Sequence, residues 1–132
     1  ELSGHFYFQL DDRARYYADS GLVALMRTLR ALGDDGAPLS QRVAPLERYA
    51  HSGEINFRVA DQAGALEAIR TGFGDGAQSE LDGVSVRYRD WWFNVRSSNT
   101  EPLLRLTLEG DTAALRDAGL ARVRAVIERF CT

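Results

Sequence analysis

Four stretches of the chain alternate apolar with polar residues. Ile55, Phe57 and Val59 alternate with Asn56 and Arg58, and Val84, Val86 and Tyr88 alternate with Ser85, Arg87 and Arg89. Trp91, Phe93 and Val95 then alternate with Trp92, Asn94 and Arg96, and Leu104, Leu106 and Leu108 alternate with Arg105, Thr107 and Glu109. A period of two gives each run one apolar and one polar face, as expected of strands with one side on a core and the other on water. Asp61 is placed to cap a helix carrying Ala65, Leu66, Ile69 and Phe73 on one side, and Asp111 or Thr112 to cap a last helix carrying Leu115, Val123, Val126, Ile127 and Phe130. The order β-α-β-β-β-α predicts an α+β fold, a four-stranded, mainly antiparallel sheet with two helices on one face.

Upstream the period changes. Leu22, Leu25, Met26, Leu29 and Leu32 recur at helical spacing, with Ser20 or Asp19 to start the helix and Gly33 to end it. Such an apolar stripe should pack on a sheet, so residues 1–33 read as the tail of a larger α/β domain. Residues 34–52 mix Pro38, Pro45, Gly36 and charges without a sustained period, and read as an interdomain connection with room for one short helix. Residues 53–132 form the C-terminal domain.

Charge and cysteine content remove several functions from consideration. The net charge is −3, from 16 basic and 19 acidic residues, and every basic residue is Arg. Bulk charge therefore points neither to nucleic acid nor to an anionic membrane as partner. Cys131, the single cysteine, allows no internal disulfide and no thiolate metal cluster. No apolar stretch approaches the roughly 20 residues needed to cross a bilayer, and no secretion signal is evident, so a cytoplasmic location is the default.

Candidate chemistry is concentrated in Arg96-Ser97-Ser98-Asn99-Thr100-Glu101-Pro102, between the third and fourth strand patterns. Arg96 can offer a planar, permanently charged fork to a phosphate, with the hydroxyls of Ser98 and Thr100 and backbone N–H groups beside it. Residue types alone leave an ordinary turn equally open, because Ser, Asn, Thr and Pro all favour turns.

The string resembles the R-x-S-N-T-E-P phosphate-binding loop of the α-D-phosphohexomutases, and Glu1-Leu2-Ser3-Gly4-His5 resembles the G-E-x-S-G-H sugar-binding loop of the same family. The two occur in the family's order, and the likeness covers essentially the whole chain. It implies the C-terminal part of a phosphomannomutase/phosphoglucomutase, cut inside the sugar motif, with a TATA-box-binding-protein-like last domain. By the same resemblance, Arg96, Ser98, Asn99 and Thr100 hold the phosphate that is not being transferred. Glu1 and Ser3 read two sugar hydroxyls, and His5 lies near the reacting centre, where it can touch a phosphate or assist proton transfer. The family's phosphoserine loop and its Mg²⁺ loop do not occur in this sequence, so no catalytic residue is expected here and the piece should be inactive alone. Mg²⁺ and a hexose 1,6-bisphosphate intermediate or activator are implied for the full-length enzyme, and a phosphohexose and the enzyme's other domains are the implied partners. A phosphoglucosamine mutase fragment, which usually carries Gly where Asn99 stands, and a non-enzymatic phospholigand-binding or interaction domain are the alternatives.

Other features carry less. Gly72-Phe73-Gly74-Asp75-Gly76 follows a helix and precedes a strand, the reverse of the order a nucleotide loop needs, and reads as a helix-ending turn. Asp11-Asp12 and Asp34-Asp35 lack neighbouring ligands, His51 reads as a linker residue, and alternation directs Trp91 to the core and Trp92 outward.

Overall fold

The structure is a computed structural model that describes residues 5–10, 16–33 and 36–132. It divides into two compact units, Glu1–Leu46 and Glu47–Thr132. Asp11-Asp12 and Asp34-Asp35 lie outside the described residues.

In the first unit, β1 (Tyr7–Gln9) pairs antiparallel with β2 (Tyr17–Asp19). Helix α1 (Gly21–Gly33) follows directly. The Ser20 hydroxyl accepts a hydrogen bond from the backbone N–H of Val23 at 3.2 Å, which satisfies one of the donors that a helix start leaves unpaired. Its apolar stripe is open to solvent, with Leu22, Leu25, Met26 and Leu29 all more than half exposed. Pro38 precedes the single turn of α2 (Leu39–Val43), a position at which a missing N–H costs nothing.

The second unit contains β3 (Ala50–Arg58), α3 (Gln62–Gly72), β4 (Ala77–Ser79), β5 (Val84–Arg87), β6 (Trp91–Ser97), β7 (Leu103–Gly110) and α4 (Ala113–Ile127), ending in a 3₁₀ turn at Glu128–Phe130. The strands form one sheet in the order β3-β7-β6-β5-β4, and every neighbouring pair is antiparallel. The fold is thus α+β, but the sheet has five strands rather than four. The additional strand, β4, is three residues long at the sheet edge. All three of its residues are exposed, so it leaves no alternation to read. It is held through Gln78, whose side-chain amide donates to the carbonyls of Arg70 and Phe73 at 2.7 and 3.0 Å at the end of α3.

The core lies between the sheet and the two helices. Phe57, Val86, Phe93, Val95, Leu104, Leu106 and Leu108 from the strands meet Ala65 and Ile69 of α3 and Val123 and Ile127 of α4. Full burial of each large side chain stabilises the fold by about 1.5–3 kcal/mol, so this face dominates its stability. Asp61 caps α3 by accepting from Gly64 N at 2.8 Å, and Thr112 caps α4 by accepting from Leu115 N at 3.2 Å. Gly119 of α4 lies against Trp91, where a Cβ would come within 2.8 Å of the indole. Trp91 therefore packs on the core, stacked on Tyr88 with ring centroids 4.6 Å apart. The glycine-rich segment after α3 forms a turn.

Strand β3 starts at Ala50, earlier than the expected Gly53. A bulge between His51 and Glu54 breaks the alternation there, with Gly53 at φ +69°, and the Ser52 hydroxyl takes over a ladder bond by accepting from Leu108 N at 2.9 Å. No helix among the described residues is long and apolar enough to cross a membrane.

Candidate functional site

The side of the sheet away from the helices is polar, and antiparallel register assembles it in rows. Arg96 of β6 stands opposite Arg105 of β7, which stands opposite Asn56 of β3. The next row is Glu54, Thr107, Asn94 and Ser85. Residues far apart in sequence are thereby brought to the mouth of the β6–β7 hairpin.

The hairpin loop is fixed at its base. Ser98 N donates to Leu103 O at 2.8 Å, and Leu103 N to Glu101 O at 2.7 Å. From the other side, Gln62 of α3 donates through its side-chain amide to the carbonyls of Glu101 and Leu103, both at 3.3 Å, and Val59 N donates to Pro102 O at 3.3 Å. The tip stays open. Asn99 and Thr100 are exposed, and the Ser98 and Thr100 hydroxyls approach to 3.5 Å.

Arg96, next to last in β6, has its guanidinium between two acids. Nη2 lies 3.7 Å from Glu54 Oε2, and Nη1 lies 3.6 Å from Asp82 Oδ2. Asp82 is aimed by its turn. Gly83, at φ +70°, passes so close to β6 that a Cβ would meet Val95 O at 2.3 Å, and the Asn94 amide donates to Asp82 O at 2.7 Å and to Ser85 Oγ at 2.9 Å. The structure thus gathers Arg96, Ser98, Asn99 and Thr100 at one end of one hairpin, a set of cationic and hydroxyl donors suited to an anion with several oxygens. Sequence reasoning missed Glu54, Asp82 and Arg105. Alternation assigns Arg105 to the polar face, but only the strand order brings Glu54 beside Arg96, and Asp82 arrives from the turn before β5.

The other sequence candidates are not part of this hairpin. Glu1 and Ser3 are outside the described residues. His5, in the first unit, is exposed, and its Nδ1 is 2.5 Å from Asp19 Oδ2, while Asp19 Oδ1 accepts from Phe6 N at 3.1 Å. The bond from His5 holds the Asp19 carboxyl below its usual value. His51 belongs to β3 rather than to a linker. Its Nδ1 accepts from Gly53 N at 2.8 Å, and its Nε2 is 3.7 Å from Glu109 Oε1.

Glu109 also accepts from the outward indole of Trp92 at 3.1 Å. These residues flank a concavity of about 310 Å³ at the opposite end of β6, lined by Tyr49, Arg87, Tyr88, Trp92 and Glu109 among others. Beside it, burial and a 2.6 Å hydrogen bond to Asp75 push the Tyr88 hydroxyl up to about 12. Among the described residues, no group of three or more His, Cys, Asp or Glu side chains is placed to hold a metal ion.

Residues 54–126 match the family model described as the phosphoglucomutase/phosphomannomutase C-terminal domain. A phosphomannomutase of Methanocaldococcus jannaschii is 48% identical over 130 residues, covering 98% of this chain and 28% of its own length. A protein described as phosphohexose mutases, from Xanthomonas campestris pv. campestris, is 41% identical over 121 residues, 87% of this chain and 26% of the relative. The crystal structure of a phosphoglucomutase/phosphomannomutase family protein from Burkholderia thailandensis superposes with a TM-score of 0.74 at 26% identity, over 97% of this chain and 27% of that one. The chain thus spans about a quarter of the length of the curated relatives it matches.

Proposed function

Since the chain belongs to the phosphoglucomutase/phosphomannomutase family, we propose that it is the substrate-gripping C-terminal part of an enzyme interconverting hexose 1-phosphate and hexose 6-phosphate. The observation that carries this reading is the hairpin mouth, where Arg96 and the 3.5 Å pair of Ser98 and Thr100 hydroxyls stand on a loop pinned by Gln62 and Val59. A phosphoryl group is moved between C1 and C6 through a bisphosphorylated sugar that turns around in the site. One phosphate must be held while the other reacts.

Arg96 supplies the charge-assisted contacts to the held phosphate, and Ser98, Asn99 and Thr100 supply neutral ones. Glu1 and Ser3 bind the sugar hydroxyls, and His5 contacts a phosphate or assists proton transfer. Contacts to O3 and O4 alone ignore C2, where glucose and mannose differ, so both sugars are expected as substrates. The reacting serine and the Mg²⁺ site belong to other parts of the full-length enzyme, as does catalysis. A hexose 1,6-bisphosphate intermediate, a TATA-box-binding-protein-like last domain, an interdomain connection that ends where β3 begins at Ala50 rather than at residue 52, and a cytoplasmic location belong to the same reading.

The test is mannose 1-phosphate binding by the full-length protein, compared with unphosphorylated mannose. Binding that requires the phosphate and is lost in Arg96→Ala supports the grip, whereas unchanged binding in that variant refutes it. Mutase turnover by the 132-residue chain alone would contradict its assignment as a binding part.

A further inference from the structure

Glu54 serves two arginines with one carboxylate. Its Oε1 accepts from Arg105 Nη1 at 3.3 Å, while its Oε2 is 3.7 Å from Arg96 Nη2. The Arg96 contact is longer than a hydrogen bond and acts as a charge pair, as does that to Asp82 at 3.6 Å. The Glu54, Arg96 and Arg105 side chains are 26%, 27% and 32% exposed, so water screens them only in part. Glu54 is held more firmly by Arg105 than by Arg96, because its Oε1 lies within hydrogen-bond distance of Arg105 Nη1 whereas its contact with Arg96 does not reach that distance.

We propose that Glu54 is a displaceable counterion for the phosphate grip, a positioning residue that holds Arg96 aimed at the hairpin mouth and gives it up to the ligand. The inference rests on the phosphate-holding reading of the loop. A sugar phosphate brings up to two negative charges and three acceptor oxygens within hydrogen-bond reach, against two carboxylates that stand 3.7 and 3.6 Å away. Arg96 therefore exchanges Glu54 and Asp82 for phosphate oxygens, and Glu54 stays with Arg105. Its charge remains on the same face as the bound phosphate and repels it. Such a grip binds more weakly and releases faster than one built of cations alone, as suits an intermediate that has to let go and turn.

The experiment is calorimetric binding of mannose 1-phosphate to the full-length protein carrying this chain, together with steady-state kinetics. Glu54→Gln is expected to tighten binding about threefold, the scale of a partly exposed charge contact, and Glu54→Asp to keep wild-type affinity. KM and kcat should fall together in Glu54→Gln because release slows, whereas a merely structural defect raises KM. Asp82→Asn, in a turn outside the strands and with a side chain 73% exposed, should tighten binding by a smaller factor, and it provides the test if Glu54→Gln does not fold. Equal or weaker binding in the folded variant overturns the proposal. Arg96→Ala distinguishes the two failures. Affinity kept in that variant means that the loop reading is wrong, and affinity lost there without a gain in Glu54→Gln means that only the counterion is wrong.

Discussion

The two faces of the five-stranded sheet share one backbone and follow opposite rules. Val95 and Leu106 face each other across β6 and β7, both fully buried, and one residue on in β6 and one back in β7 Arg96 faces Arg105 on the open side. On the covered side neighbours are interchangeable in kind, because burial is non-directional and rewards any well-fitting apolar group. On the open side each contact depends on direction and on a particular partner. The covered face holds the strands still, and the open face uses that stillness to keep Arg96 beside Ser98 and Thr100.

The most severe way to break the comparison is to damage the covered face. Leu106→Ala is expected to cost about 2–5 kcal/mol of unfolding free energy in chemical denaturation, with unchanged affinity per folded molecule. Arg96→Ala attacks the other face. It should remove about 1.5–3 kcal/mol of sugar-phosphate binding, the range for hydrogen bonds to a charged group, while the melting temperature stays near wild type. If Arg96→Ala instead unfolds the chain, the division of labour between the faces fails.

Thr112→Ala sharpens the contrast by weakening only the helix layer. Loss of the bond to Leu115 N should cost about 1 kcal/mol in stability and leave phosphate binding intact. The smallest effect is a pH dependence at Tyr88. Its hydroxyl is pushed up from 10.0 to about 12, first by burial and then by Asp75, so the unfolded chain releases this proton before the folded one. The contribution to stability is complete below pH 10.0 and declines as pH rises towards about 12. Ultraviolet titration should show one tyrosinate forming late, and Asp75→Asn should bring it earlier.

What was legible in the sequence follows the same division. The alternations from Ile55, Val84, Trp91 and Leu104 locate four strands because each has a buried face to satisfy. Ala77, Gln78 and Ser79 bury nothing, so β4 left no period, and the bulge after His51 hid the first residues of β3. Arg96, Ser98, Asn99 and Thr100 could be proposed from the sequence because they fall within five consecutive positions. Glu54 lies 42 positions before Arg96, and its role depends on β7 being threaded between β3 and β6, an arrangement that no local pattern encodes.

The bulge in β3 also bears on how the molecule avoids its own copies. β3 is an outermost strand and, at nine residues, the longest in the sheet. A long straight border of unpaired N–H and C=O groups is a template on which another chain can extend the sheet. The kink between His51 and Glu54 interrupts that border, and at the far end the Arg58 carbonyl already accepts from Thr132 N at 3.4 Å, so an incoming extended strand finds open, continuous register only from Glu54 to Phe57. The irregularity that obscured the start of the strand thus works against edge-to-edge aggregation.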